Sequence, residues 1–471
     1  MVDPKKRAAS ARRHTPSPHM DDPRAAALQV LGQLDSNAGA TLDRLLEEAA
    51  PMLAGLTRRD RALFNQLVYG VLRWRLRLDA VITAHADRPL NHISPTVRNI
   101  LRLGLFQIQF MDRIPASAAV NTAVDLAKTG SAIKASGFIN AVLRGVLRDP
   151  KRFCPPDAAE DPVGHLTLTH SLPRWLAARW IDRLGWDAAG RLGAAVNAIP
   201  PISLRCNALK NSLPQLMAAL QPDAEQIQPL EAVPGALNLL GPRGPIQTLP
   251  AFLDGRFAVQ DGAAQLVSLL LAPRPGETVL DACAGLGGKT AHIAQLMENK
   301  GRLVSMDHLP DKLERLENEA RRLGVAIIES RCVDLDRPID PLQVPRFDRI
   351  LLDAPCSGLG VLRRNPDAKW SSRKKDIGRF AKRQIRLLGN LAPLVKTSGV
   401  IVFAVCSMEP EENEQVVAHF LKKHPNFAIC SSQSIEEKSV HPFLDADGFL
   451  RTAPHIHQLD GFFAARLVRR C

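Results

Sequence analysis

An alternation that begins near residue 261 constrains this chain more than any other feature. ETVLDACAG (277–285), GRLVSMD (301–307), FDRILLDAP (347–355) and VIVFAVCS (400–407) are short runs rich in apolar residues. KTAHIAQLMEN (289–299), PDKLERLENEARRLG (310–324) and PEENEQVVAHFLKKH (410–424) fall between or after them, with apolar residues at helical spacing. Strand and helix in turn predict a doubly wound, mainly parallel α/β sheet of Rossmann-like type over 261–471. In such a sheet a ligand meets the residues at the carboxyl ends of the strands.

The chain has 471 residues, too many for one ordinary core, so further domains are expected. Residues 1–22 are polar, basic and dotted with proline, and read as a disordered leader. From Pro23 to about residue 150 the pattern is helical throughout. In GFINAVLRGVLR (137–148), Ile139, Val142, Leu143, Val146 and Leu147 recur at helical spacing, while NILRLGLFQIQF (99–110) is apolar nearly all round and predicts a central helix. KRFCPPDAAEDP (151–162) reads as a linker. Residues 163–260 mix short helices with strand-like pieces such as PISLRCNAL and read as a small α+β connecting domain. The fold class is multidomain: all-α, small α+β, then α/β.

The net charge is +13, and it is concentrated. Residues 51–150 hold 14 Lys and Arg against 6 Asp and Glu, and residues 363–386 hold 10 against 2. A charge run is usually a solvated face, but two such regions argue for contact with a polyanion, most simply nucleic acid. The eight cysteines are scattered without a CxxC pair, so neither a metal nor a disulfide framework is expected. No run of about 18 apolar residues is present, which predicts a cytoplasmic protein without a membrane span.

The loop from Asp281 to Thr290, DACAGLGGKT, admits two readings. It ends in GKT like a phosphate-binding P-loop, but Cys283 stands where that motif needs its first glycine. Alternatively, Gly285, Gly287 and Gly288 allow close backbone approach to an adenosine-bearing cofactor, and the helix from Lys289 offers its N-terminus. Asp307 ends the next strand, 20 residues after Gly287, where an acid can take both ribose hydroxyls. Asp334 follows a third strand set between the helix PDKLERLENEARRLG and FDRILLDAP, and is placed to meet an adenine amino group. Each residue alone is as readily a turn former or a cap; together they favour the cofactor.

Two strand-like runs end on a cysteine, Cys356 in DAPCSGLG and Cys406 in AVCS. A free cysteine is commonly just a small buried apolar residue. As nucleophiles, both would sit at the cofactor edge, and position alone does not separate them.

Here a resemblance enters. DACAGLGGKT, DAPCSGLG, VCS, RRNPDAKW and PEENE, in this order over roughly 163–470, closely resemble the RNA cytosine-5 methyltransferase family. NILRLGLFQIQFMDRIPASAAVNTAVDLAKTGSAIKASGFINAVLRGVL resembles the NusB-type RNA-binding helical domain. The whole architecture is similar to the Sun/Fmu-type 16S rRNA (cytosine-967-C5) methyltransferases. The resemblance implies S-adenosyl-L-methionine as cofactor, held by Cys283, Ala284, Gly285, Leu286, Gly287, Gly288, Lys289, Asp307, Asp334 and Asp353. It makes Cys406 the nucleophile and Cys356 the residue of product release. 16S ribosomal RNA is the implied partner, and a monomer is expected. A tRNA target, or a non-catalytic ribosome assembly factor, is the alternative. Leu286, Leu359 and Val405 depart from the proline and two threonines usual at those places, yet no reacting group is lost.

The chemistry explains why a cysteine is needed. C5 of cytosine is a poor nucleophile, and a thiolate added at C6 turns the ring into an enamine that can attack a methyl group. The C5 proton must then leave so that the thiol can be eliminated. Arg363, Arg364 and Lys369 follow directly on this edge and are expected to hold RNA backbone. Trp370 could stack a base or serve as a half-buried anchor.

Overall fold

The computed structural model describes residues 22–37 and 39–470. The segment read as a leader, 1–22, lies outside the described residues except for Asp22, whose carboxylate accepts the Arg24 N–H and caps the first helix. The chain divides into two compact units, between Pro155 and Pro156. This falls inside the proline-rich stretch read as a linker.

The first unit is helical: Pro23–Ser36, Leu42–Leu53, Arg58–His85, Pro95–Phe110, Ala116–Thr129 and Ser136–Arg148. Pro95–Phe110 is its central helix, with Ile100, Leu101, Leu103 and Leu105 fully buried. Gly70 lets Arg58–His85 approach it closely, because a Cβ there would lie 2.0 Å from the Phe106 ring. Part of the unit's positive surplus is internal. Arg102 is buried against Asp79 at 2.7 and 2.8 Å, and Arg75 meets Asp35 at 2.8 Å.

The second unit opens with three helices, Pro162–His170, Arg174–Leu184 and Trp186–Asn197. A four-stranded antiparallel sheet follows, in the order β2-β3-β1-β4: β1 Ile202–Cys206, β2 Ala224–Pro229, β3 Ala236–Pro242 and β4 Phe257–Val259. The three helices do not share this sheet's core. Leu166, Leu176, Trp180 and Leu192 pack instead with Leu359, Leu362 and Ile377, from the region after the first cysteine motif. Sequence pattern grouped these helices with the small sheet by proximity along the chain; burial groups them with the large sheet's loops.

The large sheet runs β10-β12-β9-β8-β5-β6-β7, with β11 paired to β12. Its strands are β5 Thr278–Ala282, β6 Arg302–Asp307, β7 Ile328–Cys332, β8 Phe347–Asp353, β9 Val395–Val405, β10 Phe427–Ile429, β11 Leu450–Arg451 and β12 Phe463–Arg469. The five from β9 to β7 are parallel; β12 enters antiparallel and makes the sheet mixed. Ile350, Leu351 and Leu352 of β8 and residues 401–405 of β9 are fully buried, as central parallel strands require. Chain order reverses between β5 and β8, and the crevice at their carboxyl ends is where this topology binds ligands.

Candidate functional site

Four strand ends bring the predicted residues to one edge. β5 runs into the glycine loop, β6 ends on Asp307, β8 on Asp353, and β9 leads to Cys406. In the loop, Cys283, Gly285 and Gly287 have φ of +64°, +57° and +84°, a left-handed path that turns the backbone sharply into the helix Gly288–Leu296. A Cβ at Gly287 would lie 2.6 Å from Leu316, so only glycine fits there. The Gly285 N–H donates to Asp307 Oδ2 at 3.0 Å, and the Ala284 N–H to the Met306 carbonyl at 2.8 Å. Leu286 is half exposed at the loop tip. Asp334 lies two residues beyond β7, exposed, in a turn with Arg337.

Lys289 turns inward. Its Nζ lies 2.6 Å from Asp353 Oδ2 and 5.3 Å from the centre of the Phe462 ring. Burial alone would lower its pKa, but Asp353, with smaller help from Cys406 and Asp281, raises it above the ordinary lysine value. The charge is therefore held beside Cys406 and Asp353. This is not the lysine of a P-loop, free to reach a phosphate chain.

The loop is tied from outside by Arg205 of β1. This buried guanidinium donates to the Gly288 carbonyl at 2.7 Å and to Gln295 at 3.1 Å, and burial pushes its pKa down to about 9. Sequence reading missed it, because an arginine in a strand-like run carries no local sign of its partner.

Asp281, also buried, accepts the Thr290 hydroxyl at 2.6 Å on Oδ2, while Oδ1 has no hydrogen-bond partner. Burial pushes its pKa up to about 7 from 3.8; the Thr290 hydroxyl opposes this, and Asp353 and Asp307 add to it. The folded state thus holds a proton that the unfolded chain releases. This contribution to stability is complete below pH 3.8 and is lost as pH rises through about 7. Asp281→Asn should remove the loss, worth roughly 4 kcal/mol at most. The melting temperature of the wild type should fall relative to the variant between pH 5 and 8; parallel curves would refute this.

The two cysteines converge. Cys356 Sγ and Cys406 Sγ are 3.2 Å apart, each partly exposed. The hydrogen bond with Cys406, then burial, then the charges at Cys406 and Glu412, push the Cys356 thiol well above its ordinary pKa. Cys356 is built to keep its proton. Gly360 makes the approach possible: its N–H donates to the Cys406 carbonyl at 3.0 Å, and a Cβ there would lie 1.9 Å from the Gly461 oxygen.

The three residues expected to contact RNA all have partners inside the fold. Arg363 is buried and pairs with Asp460 at 2.5 Å and Asp261 at 3.2 Å. Arg364 meets the same two carboxylates at 2.7 Å each. Lys369 is buried, its Nζ 2.6 Å from Asn197 Oδ1. Their charge neutralises buried carboxylates or satisfies buried acceptors, and Arg364 alone of the three stays partly exposed. The exposed cations of this stretch lie further on, at Arg373, Lys374, Lys375, Arg379, Lys382 and Arg386, the last paired with Asp336, at the start of and along the helix Lys374–Leu391. Trp370 is half-buried.

A glycine loop on a parallel sheet, with acids at successive strand ends and paired thiols beside them, defines a Rossmann-like methyltransferase domain. Residues 268–468 match the family described as 16S rRNA methyltransferase RsmB/F, 21–148 the NusB family, and 172–247 the ferredoxin-like domain of RsmF/B-like methyltransferases. Ribosomal RNA small subunit methyltransferase B of Escherichia coli strain K12 is 32% identical over 447 residues, 95% of this chain and 98% of its own length. The protein of that name from Citrobacter koseri is 32% identical over 449 residues, 95% of this chain and 99% of its own. Among solved structures, that of PH0851 superposes with a TM-score of 0.78 at 26% identity, covering 94% of this chain and 98% of that one. A methyltransferase homologue from Pyrococcus horikoshii covers 64% of this chain and 97% of its own, with a TM-score of 0.55 at 29% identity. The chain belongs to the RsmB/F family of 16S rRNA methyltransferases. Among the described residues no helix is long and apolar enough to cross a membrane, and no cluster of His, Cys, Asp or Glu is placed to hold a metal ion.

Proposed function

We propose that this protein methylates C5 of one cytosine in small-subunit ribosomal RNA, of the cytosine-967 type, with S-adenosyl-L-methionine as methyl donor and Cys406 as nucleophile. The contact between Cys356 and Cys406 carries the reading, because two thiols at 3.2 Å with one kept protonated suit a cycle of thiolate addition and elimination. Family membership and the relatives' names supply the substrate class.

The residues fit the cofactor. Burial first, and then the nearby carboxylates of Asp307 and Asp353, push the Cys283 thiol up to about 12. Such acidic surroundings suit a sulfonium and repel a triphosphate. Asp307 would take the ribose hydroxyls, Asp334 the adenine edge, and residues 283–289 would wrap the rest. When bound, the cofactor supplies the electrophilic methyl group. The chain's own part is then to bind the base, attack and release. Cys406 Sγ forms a bond to C6 and later leaves with the electron pair of that bond, as water takes the C5 proton and the C5–H electrons restore the C5–C6 double bond. Lys289 holds positive charge near the thiolate, and Asp353 keeps Oδ1 for the cytosine edge. Cys356 stands beside the leaving sulfur with its proton. The target base must be unstacked first.

Bisulfite sequencing of ribosomal RNA from a strain lacking this gene tests the assignment. One small-subunit cytosine should lose its protection and regain it when the wild-type gene is restored. Unchanged rRNA with a lost mark in tRNA would move the enzyme to another substrate; no lost mark anywhere would favour the assembly-factor reading.

A further inference from the structure

Each cysteine is followed by a serine, and both serines reach one carboxylate. Ser357 Oγ and Ser407 Oγ donate to Glu412 Oε2 at 2.5 and 2.6 Å, and Ser357 N–H donates to Oε1 at 2.8 Å. Gln384 Nε2 adds a bond to Oε1 at 3.3 Å and another to the Pro355 carbonyl at 3.0 Å. Glu412, Ser407 and Gln384 are all fully buried. An uncompensated carboxylate at this depth would be costly, and an apolar side chain would fill the space with less penalty. Four converging donors compensate it. Burial still raises its pKa, with the serine hydroxyls pulling it back.

The placement matters because sheet pairing stops short of the thiols. The β8–β9 ladder ends at Asp353 and Ala404, so Cys356 and Cys406 sit on turns beyond it. Glu412 is fixed from behind: its N–H donates to the Glu409 carbonyl at 3.0 Å, and Glu409 is gripped by Arg179 and, at 2.7 Å, by Arg183. Asn413 Nδ2 donates to the Ser407 carbonyl at 3.3 Å.

We propose that Glu412 is the positioning residue that locks the two cysteine turns together and keeps the thiols in contact. This rests on the reading of Cys356 and Cys406 as the reacting pair, but its geometry can be tested without the reaction. Diamide added to the full chain should oxidise the pair to an intramolecular disulfide, two electrons and two protons passing from the thiols to the diazene. Peptide mapping identifies the 356–406 link among the other cysteines. Glu412→Ala should slow formation of this link by about tenfold or more, because the thiols no longer share one position. Glu412→Gln keeps groups that can bond both hydroxyls and should stay within about threefold of wild type. If Glu412→Ala does not fold, Ser357→Ala with Ser407→Ala removes the same ties and should show the same slowing. S-adenosylmethionine affinity, measured by calorimetry, should hold within about twofold in each folded variant, since Glu412 belongs to the turns and not to the glycine loop. A lowered denaturation midpoint with an unchanged disulfide rate would make Glu412 a stabilising residue only and overturn the proposal. The oxidation needs neither RNA nor methyl donor, so it stands apart from any failure of the assigned reaction.

Discussion

Cys406→Ala should abolish methyl transfer, by about four orders of magnitude or more, and should never form a covalent complex with RNA. Cys356→Ala should behave differently. With Cys406 intact, attack on C6 and methylation should still proceed, but no thiol would stand 3.2 Å from the Cys406 sulfur. The enzyme should stall as a protein–RNA adduct that survives denaturing electrophoresis, and proteolysis should leave the RNA on a peptide containing Cys406. The double variant should show no adduct. An adduct in Cys406→Ala and none in Cys356→Ala would reverse the two roles, and full activity in both single variants would return both thiols to mere packing.

Arg363→Ala should destabilise the protein by roughly 3–5 kcal/mol, read as a fall in the urea midpoint. The loss comes from Asp460 and Asp261, which Arg363 and Arg364 neutralise together inside the fold. Burial and the neighbouring Asp261 already push the Asp460 carboxyl up, and the arginines are what hold it down. The salt dependence of RNA binding should not change in this variant. Replacing Lys374, Lys375 and Lys382 should do the opposite: stability holds, while the slope of log affinity against log salt flattens by roughly 0.7–0.9 for each phosphate no longer neutralised. A flatter slope in Arg363→Ala, with the three lysine changes silent, would restore the arginines to RNA and refute the exchange of roles.

The cations show where reading a sequence stops. RRNPDAKWSSRKK is one basic run along the chain, and nothing local separates Arg363 from Lys374. The carboxylates that claim Arg363 lie about a hundred residues away on either side, at Asp261 and Asp460, and only folding brings them together. The glycine loop was legible for the contrary reason. A left-handed turn between strand and helix is a local demand on backbone geometry, so it leaves glycines at fixed spacing. The alternation of strands and helices was legible because burial on both faces fixes composition residue by residue. The later strands β10, β11 and β12 went unread: β10 and β11 are only three and two residues long, and β12 enters antiparallel, outside the strand–helix alternation. The two cysteines stand between these cases. Their sequence showed thiols at two strand ends and left open which one acts; resemblance named one. Their 3.2 Å contact, and the shared carboxylate of Glu412 behind them, join residues 50 positions apart. Local rules set what each segment becomes, while the partner of a buried charge or thiol is set only when distant segments exclude water between them.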